Sequence, residues 1–236
     1  MSSILLAATN VYGGGVDIIS DGLQFYLDST NTDSYSGSGT AWYDLSGNGN
    51  NFSWASTPSF TSGSPSYFTT TSGGQCSGPA SNSFGITNTS GYTIHLICRV
   101  NSYTNSTAFL FHSSTASYNR GIQTHVTWGN QVVYFDQGGC CSSNTRTNVN
   151  SGGALTWIIW TFRRLTNSST RSIWKNGSNL INNTAGAANP ALSGTAVRIN
   201  MSSWNARLGG FICYNRGLSD AEIADNYSTL RTRYGI

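Results

Sequence analysis

From Gly22 onward, short runs in which apolar and polar residues alternate are separated by clusters of Gly, Asn, Ser and Pro. A period of two places alternate side chains on opposite faces of an extended chain, so these runs read as half-buried strands. Candidate strands cover 23–28 (LQFYLD), 66–70, 92–100 (YTIHLICRV), 107–112, 121–128, 131–136 (QVVYFD), 155–164 (LTWIIWTFRR), 170–175, 179–182, 195–201 and 207–214. Many short strands with frequent turn signals predict a sandwich or barrel. Gly129-Asn130, between TW and QVVYF, predicts a two-residue hairpin, as does Asn176-Gly177 between RSIWK and SNLI, because both residue types tolerate positive φ.

One stretch breaks the period. Over 220–232, Ala221, Ile223, Ala224, Tyr227 and Leu230 share a helical face. Ser219 stands three residues before Glu222, the spacing of a capping box, and Leu218 with Ile223 is placed as a hydrophobic staple. Arg231 and Arg233 suit the negative end of the helix dipole.

Composition sharpens this picture. Of 236 residues only 9 % are charged, against roughly 25 % in an average soluble domain. The net charge of +3 shows no clustered basic face, which argues against a nucleic-acid partner. Aromatic residues make up 12 %, enough to fill a substantial core, while helix formers are scarce, with one Lys (Lys175) and one Glu (Glu222). The fold class expected is all-β, in one domain over 21–236 preceded by an N-terminal arm or linker over 1–20 that contains Gly13-Gly14-Gly15. The apolar stretch Ile4–Ala8 lacks a basic flank and is too short for a signal core, so no signal peptide is expected. No apolar run reaches the ~18 residues of a membrane span. Of five cysteines, Cys98 and Cys213 lie in strand-like runs and read as core, while Cys76, Cys140 and Cys141 lie in Gly/Ser-rich loops. A bridge from Cys76 to Cys140 or Cys141 is one option among these. Eight Asn-x-Ser/Thr sequons occur, a number that chance supplies in a chain so rich in these residues.

The segment Gly22 to Asn51, with GLQFYLD and AWYDLSGNGNN at its ends, and the closing segment LGGFICYNRGLSDAEIADNYSTLRTRYGI resemble the two ends of the laminin-G-like type 3 branch of the concanavalin A-like lectin/glucanase superfamily. GYTIHLICRV is similar to that family's "dFTvEaWvkp" strand, LTWIIWTFRR to its "W-hhvvgTyd", and RSIWKNGSNLI to its "v-lYiNGvlv" hairpin. The resemblance spans 22–236 and implies a jelly-roll sandwich of two antiparallel sheets with the last helix packed on it. It departs from the family at His95, which replaces an acid, at Ile97, which replaces a Trp, and at FTTTSGGQCSGPA, which lacks an Asp found in calcium-binding relatives. Domains with these ends occur in structural proteins of tailed phages and large DNA viruses. The resemblance thus implies a virion location, with other virion structural proteins and copies of the chain itself as partners.

The chemistry available is narrow. Glycoside hydrolysis needs two carboxylates flanking the scissile bond, and no Glu-x-Asp-x-x-Glu cluster exists here; Asp136 stands alone on its strand. His95, His112 and His125 lie on separate strands without a GxSxG elbow, so no catalytic residue is assigned. Asp44-Leu45-Ser46-Gly47-Asn48-Gly49 matches the first half of a calcium loop, but position twelve is Ala55. It reads either as an Asx-rich turn or as a weak Ca²⁺ site using Asp28, Asp33, Asp44 and Asn48. For sugar binding, Trp54 and Trp204, flanked by Ser and Asn, are the expected exposed platforms, whereas Trp42 and Trp174 are expected to be buried. The expected function is that of a non-enzymatic virion component, in capsid, decoration, fibre or tail, acting through protein–protein contacts. The alternative is a lectin-like domain that binds host-surface glycans.

Overall fold

The computed structural model describes residues 18–87, 89–114, 120–152, 155–186, 189–199 and 203–236. Its strands are β1 (Leu23–Asp28), β2 (Ala41–Trp42), β3 (Phe52–Trp54), β4 (Ser59–Thr61), β5 (Tyr67–Thr69), β6 (Cys76–Ala80), β7 (Tyr92–Val100), β8 (Phe109–His112), β9 (Arg120–His125), β10 (Val132–Gln137), β11 (Arg146–Asn150), β12 (Trp157–Arg164), β13 (Arg171–Lys175), β14 (Ser178–Asn183), β15 (Ala196–Ile199) and β16 (Ala206–Tyr214), followed by helix α1 (Asp220–Tyr234). They form two antiparallel sheets of eight strands. Sheet A runs β14-β13-β12-β7-β16-β5-β4, with β1 pairing the part of β16 that β5 leaves free. Sheet B runs β11-β10-β9-β8-β15-β6-β3-β2. All but Ile18–Ser20 of the expected arm lies outside the described residues. Among the described residues no helix is long and apolar enough to cross a membrane.

The core between the sheets is aromatic. Phe25, Phe52, Phe84, Phe109, Phe111 and Phe211 meet edge-on or tilted, with Phe25 5.1 Å from Phe52 and 5.0 Å from Phe211 between ring centroids. Each ring removed from water is worth roughly 1.5–3 kcal/mol, and edge-on pairing adds to it. Cys98 and Cys213 are buried in this core, where the lack of water pushes both thiols up.

A second layer covers the outer face of sheet A. Ile223, Leu230 and Tyr234 of α1 pack on Ile97, Ile159, Ile212 and Tyr214. The capping box is present, with Ser219 Oγ accepting from the Glu222 amide at 3.2 Å and Glu222 Oε2 accepting from the Ser219 amide at 2.7 Å. The helix can approach because the sheet carries Gly209 beneath Tyr234, where an added side chain would collide with its ring. Buried in the same face is Asn226, a polar residue on the stripe expected to be apolar.

Several boundaries differ from expectation. β2, β3, β4, β6 and β11 were not predicted; they are short or carry few apolar residues, and gain their place from neighbours in the sheet. The Asn176-Gly177 turn has positive φ at both positions, 50° and 73°, as a two-residue hairpin requires. The other hairpin is one residue longer than expected. Gln131 adopts φ 65°, and the Trp128 amide donates to Val132 O, closing a three-residue loop over 129–131. The disulfide joins Cys140 to Cys141, and Cys76 is a buried free thiol, so the Cys76 bridge is not formed.

Candidate functional site

The residues expected to bind sugar are in the core. Trp204 is 0 % and Trp54 3 % exposed; Trp204 donates its indole N–H to Val126 O, and Trp54 stacks on Trp42 at 6.2 Å. Their Ser and Asn neighbours suggested exposure, but the alternation of β3 turns Trp54 inward, and Trp204, just before β16, is drawn into the core with its N–H on Val126 O. Trp42 and Trp174 are buried as expected.

The expected metal donors are engaged in hydrogen bonds. Asp44 Oδ1 accepts from the amides of Tyr26 and Ser46, both at 2.9 Å, and Oδ2 from Ser46 Oγ at 2.7 Å and the Asn50 amide at 3.0 Å. Asn48 uses its amide N–H groups, donating to Leu23 O and Gln24 O. Asp28 is fully buried, ion-paired with Arg233, and accepts from the hydroxyls of Tyr26 and Tyr234. Asp33 is exposed in a turn capped by Asn31. The Asp44 loop is thus an Asx turn, and among the described residues no cluster of three or more His, Cys, Asp or Glu side chains is placed to hold a metal. The carboxylate oxygens of Asp28 and Asp44 already serve backbone amides, neighbouring hydroxyls and Arg233, so these two residues do not fit a Ca²⁺ site.

Polar chemistry instead gathers at the β11 end of sheet B. On its outer face, register places Asp136 between Gln123 and Arg146, and Tyr134 between His125 and Asn148. Arg146 grips Asp136 with two bonds, Nε to Oδ1 at 2.6 Å and Nη2 to Oδ2 at 2.7 Å, while its guanidinium lies 4.3 Å from the Tyr134 ring centre. His125 is buried beside Trp128, whose ring centre lies 4.6 Å away. Burial holds this imidazole below its usual pKa, so the ring is neutral at pH 7. Neutral His125 donates from Nδ1 to Ser106 O at 3.0 Å and accepts at Nε2 from Gln123 at 2.6 Å, so its 3.8 Å approach to Asp136 is not an ion pair.

Next to this face the two sheets present their terminal strands, β11 and β14, and an open groove of about 600 Å³ runs between them. Arg146 and Asn148 form one wall and Asn182 and Asn183 the other, with Ser142, Ser143 and the Cys140–Cys141 disulfide loop at one end. Asn183 ties the walls together, donating to Ser143 O at 3.1 Å and Arg146 O at 3.0 Å. Beneath lies Arg171, 0 % exposed, whose Nη2 donates to Ser143 O at 3.1 Å and contacts Ala185 O at 3.5 Å. Sequence reasoning overlooked these residues. RTNVN has no apolar alternation to announce a strand, but an outward Asp136 in QVVYFDQ was a signal that a cation had to lie on a neighbouring strand.

The chain is a two-sheet antiparallel sandwich with a polar groove at its edge, and solved structures share this fold. Trypanosoma rangeli sialidase matches with a TM-score of 0.60 at 13 % identity, over 89 % of this chain and 33 % of that one. A botulinum neurotoxin type C structure, whose title reports cell entry dependent on interaction with two ganglioside molecules, matches with a TM-score of 0.66 at 11 % identity, over 89 % of this chain and 52 % of that one. The binding domain of botulinum neurotoxin DC in complex with SialylT matches with a TM-score of 0.63 at 14 % identity, over 89 % and 52 %. The chain spans between a third and about half of these structures, and at such identities the likeness establishes the fold alone. No family model and no curated protein matches the sequence.

Proposed function

We propose that the chain is a carbohydrate-binding module that holds a glycan in the groove between β11 and β14. The observation that carries this reading is the groove itself, an open cleft of about 600 Å³ walled by Asn148, Asn182, Asn183 and Arg146, whose guanidinium lies over the Tyr134 ring. Amide, hydroxyl and guanidinium groups satisfy sugar hydroxyls, and a cleft of this volume lies within the ordinary range of small-ligand sites. Binding rather than hydrolysis is the role proposed, since Asp136 is the sole carboxylate on the strands of sheet B and Arg146 occupies both its oxygens.

The structural neighbours support this reading over the virion structural role implied by the terminal motifs, because two of them are titled for interaction with ganglioside molecules or SialylT. A glycan array probed with the full chain tests it. Binding to a defined set of glycans, weakened severalfold by Asn148→Ala plus Asn182→Ala, is the result expected. Absence of binding to any glycan at millimolar concentration refutes it and returns the protein–protein role to the front.

A further inference from the structure

We propose that the glycan is acidic, carrying a carboxylate that Arg171 recognises from below the groove; this rests on the carbohydrate-binding reading. Arg171 lies on the inner face of β13, the face that Ile173 turns into the core. Its side chain is wholly buried, and neither Nε nor Nη1 has a hydrogen-bond partner. A buried guanidinium with two of its three nitrogens unsatisfied is costly unless another group completes it. The nearby acid, Asp136, gives both oxygens to Arg146. Arg164, directly across the β12–β13 register, places a second positive charge beside Arg171.

This end of the sandwich therefore presents more cation than anion, in a chain that carries only twelve Lys and Arg altogether. Nη2 lies directly behind the groove lining, bonded to Ser143 O and 3.5 Å from Ala185 O, and this longer contact is the one that an entering carboxylate displaces to reach it. A planar guanidinium fork matches a planar carboxylate. Asn148 and Asn182, exposed on the two walls, face the neutral hydroxyls of the same sugar.

The test uses the full chain on an array that pairs sialic acid- and glucuronic acid-terminated glycans with their neutral parents and with sulfated counterparts. Carboxylated members should bind at least about tenfold more tightly than the neutral parents and the sulfated set, and raising the salt should weaken them. Ser143→Glu, at an exposed position, places a competing carboxylate beside Arg171 and should remove that preference about tenfold while the circular dichroism spectrum stays unchanged. Arg171→Lys, which keeps the charge and loses the fork, should also reduce it. Equal binding of neutral and carboxylated glycans, preference for sulfate, or a preference that survives Ser143→Glu overturns this inference and leaves carbohydrate binding standing. Failure to bind any glycan overturns both.

Discussion

The outer face of sheet A and the groove between β11 and β14 both bury polar and charged side chains, but the first leaves few of their hydrogen-bonding groups unused. Under α1, Asp28 has Arg233, Tyr26 and Tyr234, and Arg163 has Asp220 and Leu218 O. Asn226 accepts from the Ile19 amide and donates to Tyr214 and to His95, whose other nitrogen bonds Thr161. That network joins strand, helix and the segment before β1 into one unit. Beneath the groove, Arg171 keeps two nitrogens without a partner. A satisfied buried network specifies a fold, whereas an unsatisfied buried group beside an opening marks a place where a ligand completes the bonding.

Substitutions should separate the two regions by what they cost. The largest effect is expected at Asp28, where Asp28→Ala strands Arg233 and two tyrosyl hydroxyls and should lower unfolding free energy by about 3–5 kcal/mol in urea titrations. Trp204→Ala should cost a similar amount, about 3–5 kcal/mol, because its ring is wholly buried. A soluble Trp204→Ala protein with unchanged stability and lost glycan binding would instead restore the role first expected of that tryptophan. Asn226→Ala should cost about 2–3 kcal/mol, since three partners lose their bond at once.

Acid should loosen the helix-covered face next. Burial lowers the His95 pKa from 6.5 to about 3, so between these values the unfolded chain takes up a proton that the folded one refuses. Stability contributed by neutral His95 is full above pH 6.5 and falls as pH drops toward 3, by up to about 1.4 kcal/mol per unit. Glu222, held by Arg216 at a pKa of about 2, loses its own contribution in the same direction below 4.5. Replacing His95 with Leu should flatten the slope between pH 6 and 5, as read from melts at fixed pH. The smallest stability change, within about 0.5 kcal/mol, is expected for Asn148→Ala and Asn182→Ala, whose side chains are exposed and whose loss should appear in glycan affinity instead.

The fold was largely legible because alternation and caps are local signals. YTIHLICRV and LTWIIWTFRR announce central strands, and Ser219 with Glu222 announces the helix. The candidate site was not, because it is made by register between segments far apart in the chain. Arg171 meets Ser143 across 28 positions, and Asn183 meets Ser143 across 40. Cys140–Cys141 escaped notice because a bond between neighbours leaves no spacing to read. Trp54 and Trp204 show the reverse error, since polar neighbours in the sequence say little about which way a side chain turns in the fold.

Titrating the isotope-labelled chain with the tightest glycan from the array, followed residue by residue in amide NMR spectra, addresses the central claim most directly. The account predicts shifts concentrated at Ser143, Arg146, Asn148, Asn182 and Asn183, with the amides of His95 and Asn226 beneath the helix unmoved. Saturation that leaves the groove unperturbed, or shifts centred on another surface, would contradict it.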